Sequence, residues 1–291
     1  MDFRFSLEEY SNKKSKHFCP ECKDRRHTFV KYIDNKTKNY LGEKIGRCDR
    51  ESKCGYHYTP KQFFMDNDLE SDYERKMLDW TPPPPKPISY IDNKIVNEYM
   101  QSYKGNGFII FLYKNFPKDE VNNAIRKYHI GTSNKFDGSV VFWQIDSQNR
   151  VHNGKVMVYS PFTGKRSKKL FTSIPRLLEL DDFNSEPCFF GEHLLNNYDG
   201  PVAIVESEKT AIIASLFFED FIWLASGGKS NLKPKRCEVL QLKRVTLFPD
   251  SDAYDLWNKK AKEFGFDISD ILKDRKGGYD LADHILEIIK E

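Results

Sequence analysis

Two aspartates one residue apart stand where an apolar run stops. The stretch "VTLFPDSDAYD", residues 245–255, places Asp250 and Asp252 at and just past the end of that run. Glu206 ends a second apolar run, "VAIVE", and Asp280 and Asp283 lie in "GGYDLADHI". Converging carboxylates repel one another, and burial sharpens the repulsion, so a site that gathers three or more usually holds cations. Hard oxygen ligands suit Mg2+ or Mn2+, with phosphate oxygens and water completing the shell. The candidate ligands are Glu206, Asp250, Asp252 and Asp280. A pair of such ions can activate an attacking hydroxyl and stabilise a leaving pyrophosphate. Lys209, one turn into the helix expected after Glu206, and Lys229, which follows "SGG" (226–228), are candidates for neutralising phosphate.

A second constellation is made of sulfur. Cys19-x-x-Cys22 and Cys48-x5-Cys54 fall within the first sixty residues. Two thiolate pairs at one end of a β-ribbon approach what tetrahedral Zn2+ needs. The second pair is wider than usual, and His17 and His57 are close enough in sequence to replace one cysteine. With all four positions filled, such a zinc is structural and leaves no open site for chemistry. So small a unit has little apolar core, and metal binding would supply folding energy on the order of 10 kcal/mol. Cys188 and Cys237 stand alone and read as buried thiols.

The elements that must position these residues follow from periodicity. "HTFVKYI" alternates as a strand, "YLGEKIGRC" reads as its return, and "TPKQFFMD" as a short helix with Thr59 as N-cap and Pro60 at its first position. "WTPPPPKPISY" (80–90) reads as a semi-rigid linker. "IDNKIVNEYMQSY" and "KDEVNNAIRKYHI" have helical spacing, while "GSVVFWQID" and "VHNGKVMVYS" alternate as strands around a "DSQNR" turn. From residue 201 strands alternate with helices: "PVAIVE", "SEKTAIIASLFFE", "FIWLAS", the helical "CEVLQLK", "RVTLFPD", "AYDLWNKKAKEFG" and "GYDLADHILEIIKE". That order argues for a parallel α/β sheet, in which ligands bind beyond the carboxyl ends of the strands. Glu206 and Asp250 fall at such ends. On a helix, Asp280 and Asp283 would share a face. The expected organisation is a zinc-ribbon domain (1–79), the linker, a basic α+β lobe (91–199) and an α/β sheet domain (200–291).

Composition narrows the class. With 39% hydrophobic and 31% charged residues, the 291-residue chain reads as a folded protein with a very polar surface. No stretch approaches the roughly 18 apolar residues of a membrane span, and the acidic start "MDFRFSLEEY" lacks an apolar signal core. The expectation is a cytoplasmic chain with no membrane partner. The net charge of +3 hides an uneven distribution: "KKSK" (13–16), "KDRR" (23–26) and "GKRSKK" (164–169) are basic, and most clustered acids lie in the last third. A basic front and an acidic back fit a protein that meets a polyanion on one side and metal on the other. Lys165, Arg166, Lys168 and Lys169 are the candidates for contact with template or triphosphate. His27, Phe29, Tyr32 and Tyr40, among the lysines and arginines of the ribbon, would suit single-stranded nucleic acid.

A lone D-x-D is usually a turn. A glutamate-ended strand, a glycine turn and then D-x-D, in this order, is more specific, and it resembles the Toprim domain shared by bacterial primases, topoisomerases and several nucleases. "VAIVESEKTA" is similar to the first Toprim motif and "LFPDSDAYDLWNKKA" to the second. The segment from "YHIGTSNKF" to "GKRSKKLF" resembles the region that precedes Toprim in bacterial primases, and the N-terminal zinc ribbon completes their order. The resemblance implies a small primase of the kind mobile elements carry, making short RNA primers on single-stranded DNA from NTPs, with a replicative helicase as a partner. It implies Glu206 as general acid/base and Asp250 and Asp252 as ligands of Mg2+ or Mn2+. Ser207 and Thr210 stand where the primase motif has glycine and aspartate. Two other readings share these residues: a Toprim nuclease or DNA-nicking enzyme, and a non-catalytic single-strand binding module.

Overall fold

A computed structural model of the chain describes residues 3–10, 15–51, 53–67 and 84–290. It divides into two compact units, Met1–Pro84 and Pro85–Glu291. Residues 13–14 of the basic run at 13–16 and residues 80–83 of the expected linker (80–90) lie outside the described residues.

The first unit is a β-ribbon. Strands β1 (Phe5–Leu7), β2 (Phe29–Asp34), β4 (Gly46–Cys48) and β5 (His57–Tyr58) pair in that order, all antiparallel, and β3 (Asn39–Tyr40) also pairs with β2. The return expected over 40–48 is therefore broken into β3 and β4. The glycine at 46 is required there. A Cβ at Gly46 would lie 2.2 Å from the Val30 carbonyl oxygen and 2.5 Å from the Phe29 ring. Phe29 is fully buried against Cys19 and Cys48, and among the described residues Val30 and Ile45 are the other buried hydrophobics of this unit. Helix α1 (Pro60–Asp66) starts as its sequence demands: the Thr59 hydroxyl accepts from the Gln62 N–H, and the Gln62 side chain accepts from the Thr59 N–H.

In the second unit an antiparallel sheet runs in the order β6 (Gly131–Ser133), β7 (Ser139–Ile145), β8 (Val151–Tyr159), β9 (Arg166–Ser173). β7 is buried along its whole length because both faces are covered. Val140 and Phe142 face a core that includes α3 (Gly107–Asn115) and α4 (Lys118–Lys127). Val141, Trp143 and Ile145 face a second core with Ile91, with Val96 of α2 (Asn93–Tyr99), and with Ile174 of α5 (Ile174–Leu177). Helix α3 was masked in the sequence by its nearly continuous apolar run. Asn106 caps it, accepting from the Ile109 N–H at 3.2 Å.

The parallel sheet runs β11 (Ile222–Ala225), β10 (Val202–Val205), β12 (Val245–Leu247), β13 (Asp267–Ile268). Alternation along β10 divides its side chains between two layers. Ala203 and Val205 face α6 (Glu208–Phe217) and α9 (Leu281–Ile288), whereas Val202 and Ile204 face Trp257 and Ala261 of α8 (Tyr254–Phe264). The layer over α6 is shared with the antiparallel lobe: Phe108, Val121 and Tyr128 belong to the same buried cluster as Ala203 and Trp223. The buried Tyr128 hydroxyl donates to the Trp223 carbonyl at 3.1 Å. The helix expected over "CEVLQLK" is shorter and earlier, α7 (Pro234–Cys237) followed by a 3-10 turn at Glu238–Leu240. Cys188 and Cys237 are buried thiols. Among the described residues no helix is long and apolar enough to cross a membrane.

Candidate functional site

Four thiols meet at the base of the ribbon. One Sγ each from Cys19, Cys22, Cys48 and Cys54 lies within 4.8 Å of the others. A zinc–sulfur bond of about 2.3 Å in a tetrahedron sets sulfur–sulfur edges of about 3.8 Å. The Cys19–Cys54 and Cys22–Cys48 separations are 3.7 and 3.9 Å. The donor set therefore fits a structural Zn2+, and across the wide Cys48-x5-Cys54 spacing the Cys54 N–H donates to the Arg50 carbonyl. The histidines are not in the group: His57 Nε2 pairs with the Tyr32 hydroxyl at 2.9 Å, and His17 lies 3.9 Å from Glu8.

The carboxylates converge on the parallel sheet. The connection from β10 leads to β11 on one side, and the chain then crosses to β12 on the other, so the order reverses between β10 and β12. That reversal opens a crevice beyond the carboxyl ends of these two strands. Glu206 directly follows β10, and Asp250 and Asp252 lie just past β12. Asp280 arrives by a route invisible in the sequence. The Ser251 N–H donates to the Tyr279 carbonyl at 3.0 Å, and the Tyr279 N–H donates to the Ser251 hydroxyl at 3.0 Å. The serine between the two aspartates thus clasps the segment that carries Asp280. Asp280 is the N-cap of α9 rather than a residue of its face, and its carboxylate accepts from the Asp283 N–H at 2.8 Å.

Burial and mutual repulsion shape the charges here. Burial, then Asp252, pushes the Glu206 carboxyl up to about 7. Burial, then Glu206, Asp280 and Asp252, pushes Asp250 up to about 8. One buried oxygen of Glu206, Oε1, has no protein partner. A carboxylate oxygen held dry and unpaired is expensive unless a proton or a cation satisfies it. The outer acids are neutralised from within: Lys209 Nζ lies 3.2 Å from Asp280 and 3.9 Å from Asp283, and Lys229 Nζ lies 2.9 Å from Asp252. Among the described residues no three of these carboxylates bring one oxygen each within 4.8 Å, as the cysteines do.

The remaining predicted cations lie on the antiparallel lobe. Lys165 and Arg166 line an open cavity of about 490 Å³ together with Gly105, Gly107, Gly138 and Tyr159. Lys168 and Lys169 are exposed on β9. Sequence reasoning missed Lys155 and Glu208. Lys155, on β8, reaches the buried Glu208 at 2.5 Å, two residues from Glu206. A Cβ at Gly227, which has φ +73°, would lie 2.5 Å from Lys155 Nζ. The glycine turn after β11 thus makes room for a lysine from the neighbouring lobe. Arg236 was missed as well: it donates to the Ser226 carbonyl at 2.7 Å and to that of Cys188, holding the same turn from behind. Neither residue carries a sequence signal, because their partners are 53 and 10 residues away.

A zinc beta-ribbon finger model matches residues 3–69. No curated protein matches the chain. Among solved structures it is similar to the primase fragment of the bacteriophage T7 primase-helicase protein, at 15% identity over 94% of this chain and 96% of that one, TM-score 0.43. It is also similar to the E. coli primase catalytic core, at 13% identity over 67% and 77%, TM-score 0.43. A third is the zinc-binding and RNA polymerase domains of the Aquifex aeolicus primase, at 16% identity over 98% and 78%, TM-score 0.37. A model described as a domain of unknown function (DUF6371) matches residues 106–251, half of the chain, from the cap of α3 to the clasping serine, and the protein belongs to that family.

Proposed function

We propose that the protein is a primase-like nucleotidyltransferase that joins ribonucleotides into short primers on single-stranded DNA. The observation that carries this reading is the crevice itself: Glu206 and Asp250 meet at the strand-order reversal, both raised toward neutrality, with one Glu206 oxygen unpaired. Raised by burial and then by Asp252, the Glu206 carboxyl is the group placed to take up and return a proton, the role of a general acid/base. Asp250, Asp252 and Asp280 are the residues to hold Mg2+ or Mn2+, which would supply activation of the attacking hydroxyl and charge stabilisation at the leaving pyrophosphate. Lys209 and Lys229, now paired with Asp280 and Asp252, are placed to turn to the triphosphate once those acids have other partners. The arrangement of "VAIVE" and "PDSD" on a parallel sheet agrees with the Toprim resemblance, and Lys165 and Arg166 are placed for template or NTP contact. A replicative helicase is the partner such an activity implies.

Primer synthesis tests the reading. Wild type, Asp250→Asn and Glu206→Gln are incubated with single-stranded DNA, labelled NTPs and Mg2+ or Mn2+, and the products are resolved on a denaturing gel. The expected result is short labelled chains from wild type alone. Shortened template without labelled chains would make the crevice a nuclease site. Labelled chains of equal yield from all three proteins would refute the assignment of both carboxylates.

A further inference from the structure

β9 is the outer strand of its sheet. "PFTGKRSKKLF", residues 161–171, contains four cations and no acid. Among the described residues, none of Lys165, Arg166, Lys168 and Lys169 makes an ion pair with a carboxylate. Isolated lysines are ordinary surface; an unpaired run of four needs a counter-charge from elsewhere.

The backbone is bent to present them. In the β8–β9 ladder Tyr159 pairs with Arg166 and Met157 with Phe171. Residues 167–170 therefore stand opposite Val158 alone, and the Leu170 N–H closes this bulge on the Ser167 hydroxyl at 3.3 Å. A bulge re-aims side chains away from the ladder and breaks up an edge that could otherwise pair with another strand. Here it carries Lys168 and Lys169. On either side of it are two exposed rings, Phe162 at the hairpin tip, 79% exposed, and Phe171, 67% exposed. Phe162 is held from one side by Lys114, whose Nζ sits 4.2 Å from the ring centroid and donates to the Pro161 carbonyl.

We infer that this hairpin is a stacking track for single-stranded DNA, with Phe162 and Phe171 as base platforms and Lys165, Arg166, Lys168 and Lys169 neutralising the phosphates between them. Cations interleaved with exposed rings are what strand binding without sequence preference requires. The inference rests on the proposed function for what the strand is, a template led toward the crevice, but its test does not depend on catalysis.

The experiment is equilibrium binding of a fluorescein-labelled oligo-dT by anisotropy, over a series of salt concentrations without added divalent metal. Phe162→Ala/Phe171→Ala should weaken binding by about 5- to 150-fold per stacked base lost, with the salt slope unchanged. Phe162→Leu/Phe171→Leu, which keeps apolar area but no π face, should also weaken it. Lys168→Ala/Lys169→Ala should lower the slope by about 1.4, at roughly 0.7 per phosphate on a single strand. All three pairs lie on the surface, and unchanged melting temperatures exclude misfolding. Wild-type affinity and slope in every variant would overturn the inference, even if Asp250→Asn still abolished primer synthesis. A wild-type dimer that dissociates on loss of the rings, with DNA binding intact, would overturn it in favour of a second copy. Weakened binding in the ring variants of a protein that makes no primers would uphold the track and sink the proposed function instead.

Discussion

Replacing Asp250 by asparagine should stabilise the protein when no divalent metal is bound. Folding carries the Asp250 carboxyl from its ordinary value of 3.8 up to about 8, through burial first and Glu206 next. The folded state therefore binds the proton more tightly than the unfolded chain between pH 4 and pH 8. Stability falls as pH rises through that window, because the unfolded state gives up its proton first. Each pKa unit corresponds to about 1.4 kcal/mol. The repulsion is shared with Glu206, itself raised to about 7, and relaxes in part once either acid is neutral. Asparagine should then recover about 2–3 kcal/mol at pH 8. In a unit of about two hundred residues that is a rise of roughly 5–10 °C in melting temperature. At pH 5 the gap should be smaller than at pH 8, because only the part of the loss that begins at the unfolded value of 3.8 has accrued, and it should close only at or below about pH 4. Adding Mg2+ at pH 8 should raise the melting temperature of wild type and leave that of Asp250→Asn nearly unchanged. Thermal unfolding at both pH values, with and without Mg2+, checks all of this. Equal melting temperatures at pH 8 without metal would mean that Asp250 is not held against its neighbours' charge, and the crevice would lose its electrostatic argument.

The ribbon should depend on its metal: Cys48→Ser, or a strong chelator, should release one zinc per chain by a colorimetric assay and unfold the first unit, where the buried hydrophobics besides the thiols are, among the described residues, Phe29, Val30 and Ile45. Lys155→Met should cost about 3–5 kcal/mol in urea unfolding, because it strands the buried Glu208 carboxylate. Adding Glu208→Gln should recover most of that loss; an unchanged midpoint in the single variant would show that the pair is dispensable. Thr59→Ala removes the cap of α1 and should cost about 1 kcal/mol, read as a loss of helical signal in the isolated first unit. Ser251→Ala deletes the hydroxyl that clasps Tyr279, and protection of the Tyr279 amide in hydrogen exchange should fall while that of β10 stays.

The sequence by itself was enough for every feature written in neighbouring residues. The cysteine spacing, the Thr59–Pro60 helix start, the alternation of β7 and β8 and the strand–helix rhythm after residue 201 each depend on groups within a few positions of one another. Local periodicity and capping report on just such groups. The same holds for Glu206, Asp250 and Asp252, because a strand end marks where a crevice must lie. What only the tertiary structure decided involves partners far apart in the chain. Lys209 and Lys229 could be read as free phosphate ligands until the fold set them against Asp280 and Asp252. Lys155 and Glu208 form a pair that no spacing announces. The strand return over 40–48 is interrupted at 41–45, and α3 was hidden because a helix buried along most of its length loses its polar stripe. Asp280 joins the crevice through two hydrogen bonds between Ser251 and Tyr279, one donated by each backbone N–H. Side-chain type and short-range order are properties of the chain; which charges end up sharing one desolvated space is a property of the packed core that brings them there.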